Sequence, residues 1–232
     1  MKGTVLLAAL LLSAQWGGAA ALKGVVKAQL SGPAPSTQVQ MTDDPSCAAK
    51  HTTPVVDEKL VLDAAKNVRY AFVSIKAGLP QGQQLRPPAE PALIDQHGCM
   101  FAPRVVGVMV GQGLKVLNSD GVLHNVHLMG KANREVNKAM PAFTKKMVLP
   151  GTTFAKPETI PLKCDAHPWM AGYVIVTAHP YFAVTGADGS FEIKDLPPGK
   201  YTVEVWHEYL GTKAQEVQVT DTGATANFTL AK

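Results

Sequence analysis

The chain has 232 residues, of which 46% are hydrophobic, 6% aromatic and 17% charged, with a formal net charge of +4. The apolar content supports one or two packed cores and excludes a disordered chain or a coiled coil. The cations are dispersed, with only Lys145 and Lys146 adjacent, so there is no basic stripe for nucleic acid; the weak excess is solvated surface that can also steer an acidic partner.

The first residues read as an export signal. Met1-Lys2 is a charged start, residues 5–12 are apolar, and small residues run on to Ala21, with Ala19 and Ala21 in an A-x-A cleavage pattern. The mature chain is expected to start near Leu22. The apolar run is too short for a permanent bilayer span; an uncleaved N-terminal anchor is the alternative. The destination is the periplasm or another extracytoplasmic space, where thiols can be oxidised.

Twenty glycines and 17 prolines fall between short apolar runs, a pattern of many turns and an all-β fold. In chain order, residues 23–30 and 68–75 read as strands, with partial helical spacing at 57–66 between them. Residues 78–91 form a proline-rich loop. Strands follow at 92–94, 104–110, 114–117 and 124–128, the second and third joined by Gly111-Gln112-Gly113. Residues 148–154 carry a Pro-Gly turn, and 173–178 is an apolar, β-branched strand. Beyond His179, Ala187-Asp188-Gly189-Ser190 reads as a hairpin turn between 182–184 and 191–193. Pro197-Pro198-Gly199 is a further turn. Residues 201–206 then alternate, with Tyr201, Val203 and Val205 on one face, and 216–220 and 226–230 repeat that habit.

The chemistry concentrates in Cys164-Asp165-Ala166-His167-Pro168-Trp169-Met170, which sets a thiolate, an imidazole and a thioether at C-x-x-H-x-x-M spacing. These are soft or borderline donors, the set suited to copper. A short loop ahead of the 173–178 strand can aim all three at one point. Such a site needs a second histidine. His124 supplies it, after the turn Asn118-Ser119-Asp120-Gly121, and the 40 residues from His124 to Cys164 leave room for two or three strands. The plainer alternatives are a chance C-x-x-H, part of a zinc site, a core methionine and a buried thiol.

Taken together, the two segments resemble the cupredoxin family, especially the small plastocyanin-, amicyanin- and pseudoazurin-like blue-copper proteins. Phe101-Ala102-Pro103 and the run at 108–113 resemble the strand and glycine turn ahead of the first ligand. N-x-D followed by His124-Asn125-Val126-His127 resembles the first-ligand segment, and C-x-x-H-x-x-M resembles the C-terminal ligand loop. The resemblance implies a Greek-key β-sandwich over residues 92–178 holding one type 1 copper. His124 and His167 would bind through a ring nitrogen, Cys164 as thiolate and Met170 as a weak axial ligand. Asn125 would tie the two ligand loops by hydrogen bonds. Leu123, Pro168 and Trp169 would form an apolar patch through which one edge of His167 meets solvent and passes electrons. The chain departs from the family at Asp165 and Ala166, where Thr or Ser and then Pro are common. A carboxylate at Asp165, beside the thiolate, should favour Cu(II) and lower the reduction potential.

Two further cysteines, Cys47 and Cys99, are expected to form a disulfide in an oxidising compartment. The rival is a second metal site from Cys47, His51, His97 and Cys99. His127 lies three residues past His124 and should point to the opposite face of a strand as a structural residue. His179 and His207 are expected to be hydrogen-bonded structural histidines.

Residues 179–232 resemble part of a carboxypeptidase-regulatory or transthyretin-like β-sandwich. The matching runs are Thr185-Gly186-Ala187-Asp188-Gly189-Ser190-Phe191-Glu192-Ile193 and Leu196-Pro197-Pro198-Gly199-Lys200-Tyr201. This likeness speaks for fold and not for function. The segment is short of strands for a full sandwich, and residues 22–42 and 68–75 could supply the missing ones. The expected organisation is a signal peptide at 1–21, an N-terminal β segment at 22–91, a copper domain at 92–178, inserted between two halves of one sandwich, and the C-terminal β-sandwich at 179–232.

The leading expectation is an exported blue-copper electron carrier, cycling between Cu(II) and Cu(I) and serving redox proteins such as a cytochrome or a dehydrogenase. The alternatives are a copper trafficking or storage module and a non-catalytic envelope interaction protein. Scattered methionines argue against trafficking. An enzyme is not expected: there is no His-x-His pair, His-Cys-His run, nucleophile elbow or Walker loop, and no small-molecule substrate is indicated.

Overall fold

A computed structural model of the chain describes residues 20–232. The signal segment at 1–21 therefore lies outside the described residues up to residue 19. Ala20 and Ala21, ahead of the expected mature start, already belong to the first strand, β1 (Ala20–Gln29), where Ala20 is buried opposite Leu196. Leu22, Val26 and Ala28 are buried in β1 while Lys23 and Lys27 are exposed, the alternation of a strand with one face on a core. A single helical turn, α1 (Pro45–Ala48), and strand β2 (Phe72–Ala77) follow. The helical spacing at 57–66 forms no helix. There Asp63 accepts from the backbone N–H groups of Ala65 (2.9 Å) and Asn67 (2.8 Å), and Lys66 takes a left-handed φ of 62°. Side-chain bonds of this kind compete directly with the helical ladder.

The middle of the chain folds as β3 (Ala92–His97), β4 (Met100–Ala102), β5 (Val105–Met109), β6 (Leu114–Asn118), β7 (His124–Leu128), β8 (Val136–Met140), β9 (Lys146–Leu149), β10 (Glu158–Lys163) and β11 (Ala171–Thr177). They form two sheets, ordered β4-β3-β6-β9 and β5-β11-β10-β7-β8. β3 and β6 pair in parallel, as do β5 and β11, and the other neighbours are antiparallel. Ile94, Phe101, Leu114, Val126, Leu128, Ile160 and Val174 fill one core shared by the two sheets. The result is an all-β sandwich of two sheets. β10 and β11 form a hairpin in register at Lys163–Ala171, so the C-x-x-H-x-x-M segment is its connecting loop.

The remaining strands are β12 (Phe182–Val184), β13 (Ser190–Leu196), β14 (Gly199–His207), β15 (Gly211–Val219), β16 (Ala224–Thr225) and β17 (Phe228–Ala231). β1 pairs with β13 antiparallel and with β16 and β17 in parallel, while β2 lies between β12 and β14 in a second sheet, β12-β2-β14-β15. Strands from both ends of the chain thus enclose a second core that includes Leu22, Val26, Val73, Ile75, Ile193, Val203 and Phe228. The turn at 187–190 forms, with Gly189 at a φ of 69° that favours glycine, but it joins no hairpin. β12 goes to β2 and β13 goes to β1, so the turn carries the chain from one sheet to the other. Tyr201, Val203 and Val205 share the buried face of β14.

Between the two cores, Phe72 stacks on Phe182 with centroids 5.2 Å apart, and Tyr173 meets Trp206 edge-on at 5.0 Å. Phe182 packs against β5 at Gly107, where an added Cβ would come within 2.1 Å of its ring. A buried Arg104–Glu208 pair joins the same two parts of the molecule.

Candidate metal centre

The first donor segment is built by a turn that closes on itself. Asn118 Nδ2 donates to the carbonyls of Val122 (2.9 Å) and Met140 (3.1 Å), and Asp120 N–H donates to Asn118 Oδ1 (3.2 Å). This holds His124, the first residue of β7, fully buried beside Met140 of β8. The Asp120 carboxylate accepts from the N–H groups of Gly98 (2.7 Å) and Cys99 (2.8 Å), and lies 3.0 Å from His124 Nε2. Burial works against its ionisation, but these bonds win and hold its pKa below the usual carboxylate range.

The second donor segment is the β10–β11 loop. Cys164 N–H donates to Met170 O (3.2 Å) and Met170 N–H to His167 O (2.9 Å), which closes the loop on itself. Cys164, His167 and Met170 are all buried, at 1%, 4% and 0% exposure. His124 Nδ1 lies 3.0 Å from His167 Nδ1, and Cys164 Sγ lies 3.6 Å from His167 Nδ1. His124, Cys164 and His167 each offer a ligand atom within 4.8 Å of the others. Met170 packs its side chain in the same core as Cys164. Burial pushes the Cys164 thiol up, but hydrogen bonding to His124, the Asn125 N–H at 3.4 Å and His167 outweigh it and bring the pKa down to about 7. Burial likewise opposes the charged form of His124, yet Asp120 and Cys164 raise it to about 9.

The donor chemistry and spacing fit a single soft metal ion. Atoms 3.0 to 3.6 Å apart are separated as donors are when they share one ion through bonds of about 2.0–2.3 Å. Both Nε2 atoms face carboxylates, which leaves both Nδ1 atoms facing the sulfur. This is the arrangement in which a partner on one ring nitrogen orients the other for a metal.

Asn125 joins the two donor segments. Its Oδ1 accepts from Asp165 N–H, and its Nδ2 donates to Asn137 Oδ1 (2.7 Å) and Asp165 Oδ2 (3.2 Å). Asp165 itself faces outward. His127 Nδ1 (2.9 Å), Lys163 Nζ (3.1 Å) and Asn137 Nδ2 (2.7 Å) surround its carboxylate and hold its pKa well below the usual range. Its charge is therefore balanced locally, which weakens the pull on the potential expected of a bare carboxylate beside the thiolate. His127 points away from the donor cluster, bonded to Asp165 and to Glu135 at 2.7 Å.

The expected electron port is corrected by the structure. Leu123 (52% exposed) and Pro168 reach the surface and Trp169 is half-buried, but His167 shows no open edge. Its Nε2 is 2.9 Å from Asp44 Oδ2, and the Trp169 ring lies 5.1 Å away. The physical reason is the segment before β2. Cys47 and Cys99 are joined in a disulfide, which brings α1 over His167, with Cys47 Sγ 3.6 Å from its Nε2. The disulfide also removes the rival metal site, since both sulfurs are bonded to each other and His51 Nε2 bonds Gly98 O at 2.7 Å. A structural disulfide indicates an oxidising, extracytoplasmic setting. Sequence reasoning missed Asp44 and Asp120 as partners of the histidines. Asp44-Pro45-Ser46 carries a helix N-cap signature, but nothing in it signals a histidine 123 residues away. His179 Nε2 donates to Ile75 O at 2.8 Å, and burial pushes its pKa down; burial also pushes His207 down to about 4. Both are structural.

A family model for the carboxypeptidase regulatory-like domain matches residues 170–231. No curated protein matches the sequence at a significant level. Among solved structures, the chain is similar to a copper-containing nitrite reductase from Thermus scotoductus SA-01, at 20% identity and a TM-score of 0.34 over 44% of this chain and 25% of that one. The chain thus spans about a quarter of that reductase. It is also similar to a purple cupredoxin from Nitrosopumilus maritimus (20% identity, TM-score 0.30, 37% of this chain and 99% of that one). A reduced-state variant of amicyanin matches at 21% identity and a TM-score of 0.33, over 45% of this chain and 98% of that one.

Proposed function

We propose that this chain is an exported type 1 copper protein that carries single electrons, with copper held by His124, Cys164 and His167 and with Met170 as a weak axial donor. The observation that carries the reading is the convergence of two imidazole Nδ1 atoms and one thiol sulfur, from two separate loops, in a buried pocket. Copper, when bound, supplies exchange of one electron between Cu(II) and Cu(I). The chain supplies a donor set that suits both states, held so that little moves between them. Asp120 and Asp44 fix the two imidazoles from behind, Asn125 fixes the cysteine loop, and the surrounding core excludes water. Burial of all three donors favours a resident metal over one handed to another protein. The proposed role is that of a carrier and not an enzyme, working outside the cytoplasmic membrane after removal of the N-terminal signal segment, with redox proteins as partners.

The test is a visible and EPR spectrum of the copper-loaded protein, with Cys164→Ser as control. Intense visible absorption, reversible one-electron redox and loss of colour in Cys164→Ser are expected. A colourless protein that takes only Cu(I) would support trafficking or storage instead. A protein that takes up no metal would support an envelope interaction module.

A further inference from the structure

The segment between β1 and β2 covers the donor cluster. It is closed at its base by the Gln38–Val56 bridge and by Val39 N–H donating to Val55 O at 2.8 Å. Three ties then pin it down: the Cys47–Cys99 disulfide, Lys50 Nζ donating to Asp120 O at 2.8 Å, and His51 Nε2 against Gly98 O at 2.7 Å. Met41 and Cys47 enter the same core as Cys164 and Met170. At the centre of this segment stands Asp44, whose two oxygens have separate tasks. Oδ1 caps α1, accepting from the N–H groups of Ser46 (3.0 Å) and Cys47 (3.2 Å). Oδ2 takes His167 Nε2 at 2.9 Å. The imidazole is therefore enclosed by Asp44 at Nε2, by Cys47 Sγ at 3.6 Å and by the Trp169 ring at 5.1 Å.

We propose that Asp44 is the positioning residue for His167, carried over the site by the pinned 38–56 segment, and that it locks the ring with Nδ1 toward Cys164. This rests on the copper reading above. A ring held at Nε2 cannot swing its Nδ1 away without breaking a charge-assisted bond. The carboxylate also strengthens the imidazole as a donor, which stabilises Cu(II) more than Cu(I). Asp44 thus sets both retention of the metal and its potential from a position 123 residues away in sequence.

Asp44→Ser and Asp44→Asn separate the two tasks of the side chain. Serine and asparagine both cap helical turns well, but serine is too short to reach His167, and asparagine that keeps its cap turns an N–H toward Nε2. In copper-loaded protein, Cu(II) affinity measured by chelator competition is expected to fall about 10–100-fold in both variants. Cu(I) affinity falls less, so the reduction potential rises, and the EPR signature changes. Melting of the copper-free variants reports whether the fold survives; should Asp44→Ser fail to fold, Asp44→Asn decides. If the unaltered protein never becomes coloured with copper, the copper reading falls and this inference with it. If the unaltered protein is coloured and the folded variants match it in affinity, potential and EPR, the role of Asp44 alone is overturned.

Discussion

His124 and His167 turn their Nδ1 atoms to within 3.0 Å of each other, and each ring is gripped from behind by a carboxylate, Asp120 at 3.0 Å and Asp44 at 2.9 Å. Donors already converged and supported in this way need little rearrangement to accept a metal. Addition of Cu(I), which leaves NMR signals sharp, is expected to shift backbone amides at 118–126, 164–170 and 44–51. Shifts spreading through 182–231 would contradict a preformed site.

Asn125 gives a second test of that support. Its side chain bonds Asp165 and Asn137, while its backbone N–H faces Cys164 Sγ at 3.4 Å. Asn125→Ala removes the side-chain bonds and keeps the one to sulfur. Copper affinity is expected to fall about 10–100-fold. Stability of the copper-free protein should fall by about 1–3 kcal/mol, since Asp165 N–H and Asn137 lose their partner. Chelator competition and urea titration read the two effects.

The convergence of His124, Cys164 and His167 was legible in the sequence because Cys164 and His167 share one hairpin loop through local spacing alone, and because His124 follows a turn rich in signals. Strands with clear alternation, such as 201–206, were equally legible. β10 was hidden by Pro161, which lowers strand propensity, and its pairing with β7 is limited to Leu162 and Lys163. β8 was hidden by its polarity: Asn137, Lys138 and Ala139 are exposed on a sheet edge. The cover over His167 was not legible at all. It depends on where a long connection comes to rest, and no periodicity encodes that.

Glu158 anchors the 131–133 turn, accepting from the N–H groups of Lys131 (2.6 Å), Ala132 (3.0 Å) and Asn133 (2.9 Å). Burial opposes its charge, but these bonds bring its pKa from 4.5 to about 2. A depressed carboxylate contributes stability that is present above its unfolded pKa and is lost as pH falls through its folded one. The contribution is at most about 3 kcal/mol by linkage, reduced by the water at this half-buried position. Glu158→Ala is therefore expected to cost about 1–2 kcal/mol at pH 7, with the gap to the unaltered protein closing between pH 4.5 and about 2. Urea titrations across that range check it, and a gap independent of pH would refute the assignment.

The Cys47–Cys99 disulfide spans a sequence separation of 52 residues. Closing a loop of that length in the unfolded chain corresponds to about 4 kcal/mol. Replacing both cysteines by alanine is expected to lower copper-free stability by about 2–4 kcal/mol. Because the same bond carries α1 over His167, the double variant should also expose residues 44–51 to faster amide exchange. Unchanged exchange there would show that Lys50 and His51 hold the segment without the disulfide.

Arg104 tests how the two sandwiches are fastened. Its guanidinium donates through Nε and Nη2 to both carboxylate oxygens of Glu208, and its Nη1 faces Asp57 at 3.5 Å. The side chains of Arg104 and Glu208 are only 4% and 6% exposed, whereas Asp57 is 41% exposed. Asp57 can therefore return to water when Arg104 is lost, and Glu208 cannot. Removing one member of such a buried pair costs about 3–5 kcal/mol, because the other charge is stranded, while apolar replacement of both is often neutral. Arg104→Met is accordingly expected to destabilise by about 3–5 kcal/mol, and the Arg104→Met/Glu208→Leu double variant to recover most of that loss. Arg104 precedes β5 of one sandwich and Glu208 follows β14 of the other, so the single variant should also loosen the Tyr173–Trp206 contact beside it, seen as a change in tryptophan fluorescence before global unfolding. A coupling energy near zero in the urea-unfolding cycle would mean that the apolar contacts of Phe72, Phe182, Tyr173 and Trp206 fasten the two sandwiches alone.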